Sequence, residues 1–211
     1  MARPKSTIAE QLGAAQLAVS NSLADTEIMA LVGGYGYSAE KLAEGKALFE
    51  AARAAVSAQG LAAGGQQAAT DAFNTAKTQA FDAFQALAKV ARAALGPADL
   101  AALGLSGPMP RSTDGFRAAA GQLFDNAASI PALAQFGYDA VRISAERAKL
   151  TVYENANQQQ EAAKSVAQQA TRDQSVALTT LNKWTAQYIK IARVALREKS
   201  QLLEKLGVVA R

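Results

Sequence analysis

Apolar and small residues recur at alternating steps of three and four along two long stretches of the chain. In the later stretch, from Tyr153 to Ala195, the repeating positions carry small, aliphatic or aromatic residues and glutamine. Subtracting 101 from each number gives a second series, from Ala52 to Ala94, in which every position is again apolar or glutamine. Residues spaced in this way share one helix face. The pattern predicts two long helices, each with a buried seam along its length.

Capping residues and helix breakers predict the boundaries of the other elements. Side chains able to cap a helix N-terminus occur at Thr7 with Glu10, Ser38, Asp114 and Asp139. Glycine and proline breaks follow, and the expected helical segments are 9–31, 39–95, 98–103, 114–129 and 139–206. Glycines at 60, 64 and 65, and the Gln- and Asn-rich stretch 155–169, lie midway along the two long segments. Each segment is therefore either one continuous helix or a helical hairpin, and the sequence leaves both open.

The two long stretches are copies of one unit. Aligned at an offset of 101, positions 36–95 and 137–196 share 17 identical residues in 60, and nine of the 17 are not alanine. We therefore expect a first helical repeat over 1–105, a linker over 106–113 and a second repeat over 114–211, packed together as one domain. The expected fold class is all-α, an elongated antiparallel bundle of two tandem repeats.

Composition excludes several kinds of chemistry. The chain has no cysteine and no histidine, so thiolate nucleophiles, disulfides, histidine acid/base pairs and the usual zinc, copper and non-haem iron sites are absent. No loop has the acidic spacing of a calcium site, and no Gly-rich phosphate motif follows a strand. We therefore expect no enzyme activity, no catalytic residue, no metal and no cofactor.

Charge and hydropathy restrict the partners. The net charge of +4 is too small to indicate nucleic acid, and no motif for binding it occurs. No stretch of 18 apolar residues indicates a membrane span, and no apolar segment follows the basic N-terminus as in a signal peptide. The expected location is cytoplasmic, although export by a route without a signal peptide stays open.

Two groups of residues are candidates for contacts. The aromatic candidates for packing or an interface are Trp184, Tyr188, Tyr37, Tyr138, Phe81 and Phe84. Trp184 and Tyr188 match alanine and leucine in the first copy, which indicates large-against-small packing between the repeats. The candidates for electrostatic contacts are Lys89, Arg92, Lys190 and Arg193, which recur in the same phase near a helix end. There they could bind an anion or simply complement the helix dipole.

The repeated helix-Gly-Tyr-helix unit, together with the ending from Trp184 through Ile191–Leu196 to Gln201–Val208, resembles a group of uncharacterised bacterial all-helical proteins. This resemblance implies a bacterial origin and an all-α fold. It brings no activity with it.

The leading functional hypothesis is a non-enzymatic structural protein that associates with itself into an oligomer or a helical polymer, such as a filament, tube or scaffold. An alanine-rich seam buries little area per residue, so association along the outer faces would add burial. The apolar residues off the seam that could form such contacts are Leu42, Leu48, Phe49, Ile143, Leu150, Val152, Phe81 and Phe84, some of which must pack against the short helices. The alternative is a helical binding module for a partner helix or an apolar ligand, and a weaker one is a bundle that opens on membranes.

Overall fold

The computed structural model describes residues 6–110 and 112–208, and every regular element in that part of the chain is helical. The all-α fold class is therefore confirmed. The expectation that no signal peptide is present concerns mainly residues 1–5, which lie outside the described residues. The elements are α1 (Ile8–Ala24), α2 (Thr26–Gly33), α3 (Ala39–Ala94), α4 (Pro97–Ala102), α5 (Thr113–Ala127), a 3₁₀ helix (Pro131–Phe136), α6 (Ala140–Ala195) and α7 (Ser200–Lys205).

Three predicted helix caps are present in the structure. At α1 the Thr7 hydroxyl accepts from the Glu10 amide, and the Glu10 carboxylate accepts from the Thr7 amide at 2.7 Å. At α3 the Ser38 hydroxyl accepts from the Lys41 amide at 3.4 Å. At α6 the Asp139 carboxylate accepts from the Arg142 amide at 2.8 Å. These local sequence signals are sufficient because they satisfy backbone amides that a helix N-terminus leaves without partners.

Two predicted helix starts differ in the structure. The single helix expected over 9–31 is divided into α1 and α2, because the Asp25 carboxylate accepts from the amides of Glu27 and Ile28 and starts a new helix. The hydroxyl of Ser112 caps α5 by accepting from the Gly115 amide, and Asp114 lies inside the first turn.

Both long segments are continuous helices of 56 residues, so neither is a hairpin. Gly60, Gly64 and Gly65 are exposed within α3 and do not interrupt it. Each glycine costs an exposed helix about 1 kcal/mol relative to alanine, which the packing of the rest of the helix outweighs. The later segment does not continue to Leu206, because α6 ends at Ala195 and a turn precedes α7.

The described residues pack into two compact units. Unit 1 comprises 6–63 and 166–208, and unit 2 comprises the described residues of 64–165. Both long helices contribute residues to both units. Each unit therefore contains one segment of α3 and one segment of α6.

The predicted seam is buried. Its thirteen positions in α3, beginning at Ala52, and the thirteen in α6, beginning at Tyr153, are each buried or half-buried, and none is exposed. Within each unit the segments of α3 and α6 run antiparallel. In unit 2, for example, the Gln160 amide lies 3.4 Å from the Thr70 hydroxyl, and the Phe73 ring lies beside that of Tyr153.

Each unit also has shorter helices that pack on these segments. In unit 1, α1, α2 and α7 contribute buried residues such as Val19, Ile28 and Leu203 to the core. In unit 2, α5 and the 3₁₀ helix contribute Leu123 and Leu133, among others. These helices decide which parts of α3 and α6 remain accessible.

Candidate functional site

Three of the aromatic candidates form one cluster in unit 1. Tyr37, Trp184 and Tyr188 are 5%, 7% and 0% exposed, and their ring centroids lie 4.9–5.8 Å apart. Tyr37 reaches the cluster from the turn before α3, whereas the other two lie one turn apart on α6. Edge and stacked contacts at these distances stabilise a core. These residues are packing anchors in the structure.

The Trp184 ring is accommodated by a glycine. Gly45 of α3 is buried, and a Cβ atom added there would overlap the six-membered ring of Trp184. This close approach, which the sequence analysis did not identify, is the large-against-small contact expected for Trp184. The partner is a glycine in the first turns of α3, whereas sequence alignment suggested the matched alanine at position 83.

A buried hydrogen bond extends the same cluster to α1. The Ser22 hydroxyl donates to the Ala18 carbonyl at 2.6 Å, so its oxygen accepts from the Tyr188 hydroxyl. Both side chains are fully buried. Burial raises the pKa of Tyr188, because the phenolate would lose its hydration. The phenol is therefore held protonated as a hydrogen-bond donor.

The turn before each long helix has the same local geometry. Gly36 and Gly137 have φ values of 86° and 78°, a conformation that favours glycine. The amide of the next residue then bonds back, from Tyr37 to the Val32 carbonyl and from Tyr138 to that of Leu133. Both tyrosines are thereby turned inward, and both are buried.

The residue before each of these glycines is an exposed aromatic. Tyr35 is 49% exposed and Phe136 is 53% exposed. Neither residue was among the predicted contact candidates, which included the buried Tyr37 and Tyr138 of the same turns. The signal was present, because the sequence aromatic-Gly-Tyr occurs at both 35–37 and 136–138.

The remaining aromatic candidates lie in unit 2. Phe84 is 5% exposed and makes an edge contact with Phe116, whereas Phe81 is 37% exposed and also contacts Phe116. Tyr153 is buried against Phe116 and Phe73. Phe84 is therefore a core residue and cannot serve as an outer contact without unfolding. Phe81 borders a cleft of about 420 Å³.

The four basic candidates are all exposed. In unit 2, Lys89 and Arg92 border a small cleft of about 160 Å³ beside Phe84 and Met109. In unit 1, Lys190 and Arg193 lie on the last turns of α6. In the part of the chain that the structure describes, none of the four forms an ion pair within 4 Å.

Among the described residues, two ion pairs join the start of α2 to the C-terminal segment of unit 1. One is between Glu27 and Lys199, and in the other the Asp25 carboxylate lies 2.8 Å from the Lys205 ammonium group. This bond lowers the pKa of Asp25, with a further contribution from the Ile28 amide, and it raises the pKa of Lys205. Beside it the Asn21 side chain donates to the Lys205 carbonyl.

No cluster of three acidic side chains that could hold a metal ion occurs among residues 6–110 and 112–208. None of the helices described for these same residues combines the length and apolar character required to cross a bilayer. Comparison with protein-family models, with curated proteins and with solved structures gives no match for this chain.

Proposed function

We propose that this protein is a non-enzymatic structural subunit that associates with itself into an oligomer or a helical polymer. The observation that supports the proposal best is the pair of exposed aromatic residues, Tyr35 and Phe136. An exposed aromatic side chain offers a large apolar area at a low entropic cost, since it has only two side-chain torsions. Both residues are held by turns that buried tyrosines anchor.

The structure changes which residues carry this proposal. Most of the apolar residues expected on the outer faces are buried, including Leu42, Phe49, Ile143 and Leu150. Val152 and Phe81 remain exposed, and the long helices also expose the aliphatic residues Leu61, Val141, Val166, Val176 and Val194. We assign self-association to the two turns because only there, among the described residues, does an exposed aromatic residue recur at the 101-residue offset.

The proposal also includes the tandem repeat that the 101-residue offset in the sequence indicates. Two tandem repeats of about 101 residues would form an elongated antiparallel bundle, a cytoplasmic subunit with two similar but non-identical contact sites. Contact of one site with the other on a neighbouring copy is heterologous, and it produces a ring or an open helical polymer. Matched turns at Gly36 and Gly137 support this part of the proposal.

Sedimentation velocity and negative-stain imaging across a range of protein concentrations test the proposal. We expect the wild type to assemble and the double variant Tyr35→Ser/Phe136→Ser to remain monomeric. Leu61→Ser is the matched control, because Leu61 is 77% exposed but lies in the middle of α3, and it should assemble like the wild type. A wild-type protein that is monomeric at every concentration would exclude the proposal.

A further inference from the structure

Unit 2 contains a cleft whose lining changes from apolar to polar toward solvent. Its deep side is formed by Phe116 and Tyr153, which are 6% and 1% exposed. Phe81 and Met109 border it, and the exposed Lys77 and Thr113 lie at its mouth. Its volume, about 420 Å³, is within the range of about 300–1,000 Å³ that small-molecule sites have.

The equivalent place in unit 1 is filled by side chains. At the offset of 101 residues, Lys77 corresponds to Leu178, and Thr113 corresponds to Leu12. In unit 1, Leu178 is buried and Leu12 packs against the same cluster. Two leucines thus occupy the positions that Lys77 and Thr113 hold at the mouth of the cleft. The polar mouth of the cleft therefore results from residue choice, because unit 1 has leucines that pack into its core at both positions.

One charged group at the mouth of the cleft has no ion-pair partner in the described residues. Lys77 takes part in none of the ion pairs found there and lies one helical turn from Phe81. An anionic group at the mouth would pair with Lys77 while an apolar body covered the rings of Phe81 and Phe116.

We propose that this cleft binds a small amphiphilic organic anion, with an aromatic or aliphatic body and one carboxylate or sulfonate group. The apolar part packs against Phe81, Phe116 and Met109, and the charged group faces Lys77. This inference does not depend on self-assembly, because Tyr35 and Phe136 do not line the cleft.

Fluorescence titration with two matched probes tests the proposal at a protein concentration where sedimentation shows one species. The anionic probe is 8-anilinonaphthalene-1-sulfonate, and N-phenyl-1-naphthylamine has the same rings without the charge. We expect one anionic probe per chain, displaced by decanoate. Lys77→Gln should weaken the anionic probe about threefold, as for an exposed ion pair, and leave the neutral probe unchanged. Lys183→Gln, on an exposed lysine of unit 1, is the control.

The double variant Lys77→Leu/Thr113→Leu introduces the residues of unit 1 and should weaken both probes about tenfold or more, because the leucines fill the cleft. Its helix content and melting temperature establish that it is folded. Unchanged probe binding by the folded double variant would overturn the proposal. So would probe release that parallels assembly as the protein concentration rises, since it would assign the cleft to a second copy.

Discussion

In unit 1 the largest side chain between α3 and α6 is Trp184, and its ring lies directly against Gly45. In unit 2 the positions 101 residues away are Ala83 and Glu146, so neither the large residue nor the small one is present. The tryptophan and the glycine thus occur together in unit 1, and neither occurs at the offset positions of unit 2. A tryptophan at one side of a helix contact requires the absence of a side chain at the other, because cores are packed without spare volume.

Where a short helix packs on a long one, the large side chains are in unit 2 and the small ones are in unit 1. Unit 2 has Phe116 and Tyr153 in contact, with ring centroids 5.7 Å apart, whereas unit 1 has Ala15 and Ala52 at the equivalent positions. Both alanines are fully buried. At positions related by the 101-residue offset, the bulky side chains therefore lie in different places in the two units, and each contact is packed by its own residues.

A buried polar contact of unit 1 corresponds to a pair of apolar residues in unit 2. Ser22 and Tyr188 form a buried hydrogen bond in unit 1, and the equivalent residues of unit 2 are Leu123 and Leu87, which are both fully buried. Replacing both members leaves no buried polar group without a partner, whereas replacing one would. At each of the three contacts compared, unit 1 and unit 2 therefore differ in both residues of the pair.

The largest expected effect is at the contact between Trp184 and Gly45. Trp184→Ala should lower the free energy of unfolding by about 3–5 kcal/mol, because it leaves a cavity. Gly45→Ala should lower it by about 1–3 kcal/mol through overpacking. The double variant should lose less stability than the sum of the two single losses, because the methyl group added at position 45 then enters the cavity left at position 184.

Urea unfolding measures these values. Gly60→Ala is the control, because a Cβ atom there meets nothing within 4 Å and should stabilise α3 by about 0.5–1 kcal/mol. Strictly additive losses at Trp184 and Gly45 would contradict the direct contact.

The next largest effect on stability is expected at the buried hydrogen bond between Ser22 and Tyr188. Ser22→Ala should lower the free energy of unfolding by about 1–3 kcal/mol, because the Tyr188 hydroxyl then has no partner. Ser20→Ala, on the exposed side of the same helix, should change it by less than about 0.5 kcal/mol. Equal stability of the two variants in urea unfolding would show that the Tyr188 hydroxyl finds another partner.

The two buried tyrosines of α6 should differ in their response to loss of the hydroxyl. Tyr188→Phe removes a hydrogen bond and should cost about 1 kcal/mol. Tyr153→Phe removes a hydroxyl without a partner among the described residues, and it should leave stability unchanged or raise it by up to about 1 kcal/mol. A destabilised Tyr153→Phe variant in the same unfolding assay would show that this hydroxyl is bonded in solution.

The smallest effect is expected for Asp25→Asn, which introduces the residue that unit 2 has at the equivalent position, Asn126. Asparagine also caps helices, so the variant loses mainly the ion pair with Lys205. The pKa of Asp25 is lowered in the folded state, so its contribution is present at neutral pH and lost as pH falls.

Melting temperatures from neutral to acidic pH test this prediction. The difference between wild type and Asp25→Asn should begin to shrink near pH 4, the unfolded pKa of an aspartate, and disappear only below the lowered pKa that Asp25 has in the folded state. The exposed Asp82, changed to asparagine, serves as the control and should show no such difference. A difference that grows as the pH falls would contradict the assigned role of the carboxylate.

The hydrophobic periodicity and the capping residues are local signals, and they were sufficient to predict most of the helices of this protein. The seam positions, the capping box at Thr7 and the cap at Asp139 depend only on residues within a few turns of one another, and helix geometry fixes those spacings. The division at Asp25 was also readable in principle, since an aspartate that caps a new helix is a local signal.

The tertiary structure alone decided which segments share a unit and which side chains remain exposed. Gly45 lies against Trp184, 139 positions away, and Tyr35 is exposed while Tyr37 is buried, although both are aromatic residues of one turn. The cleft beside Lys77 opens because α3, α5 and the chain near Met109 meet there. Such contacts depend on the volumes of residues far apart in the sequence, and a periodic pattern on one helix carries no information about what packs against it.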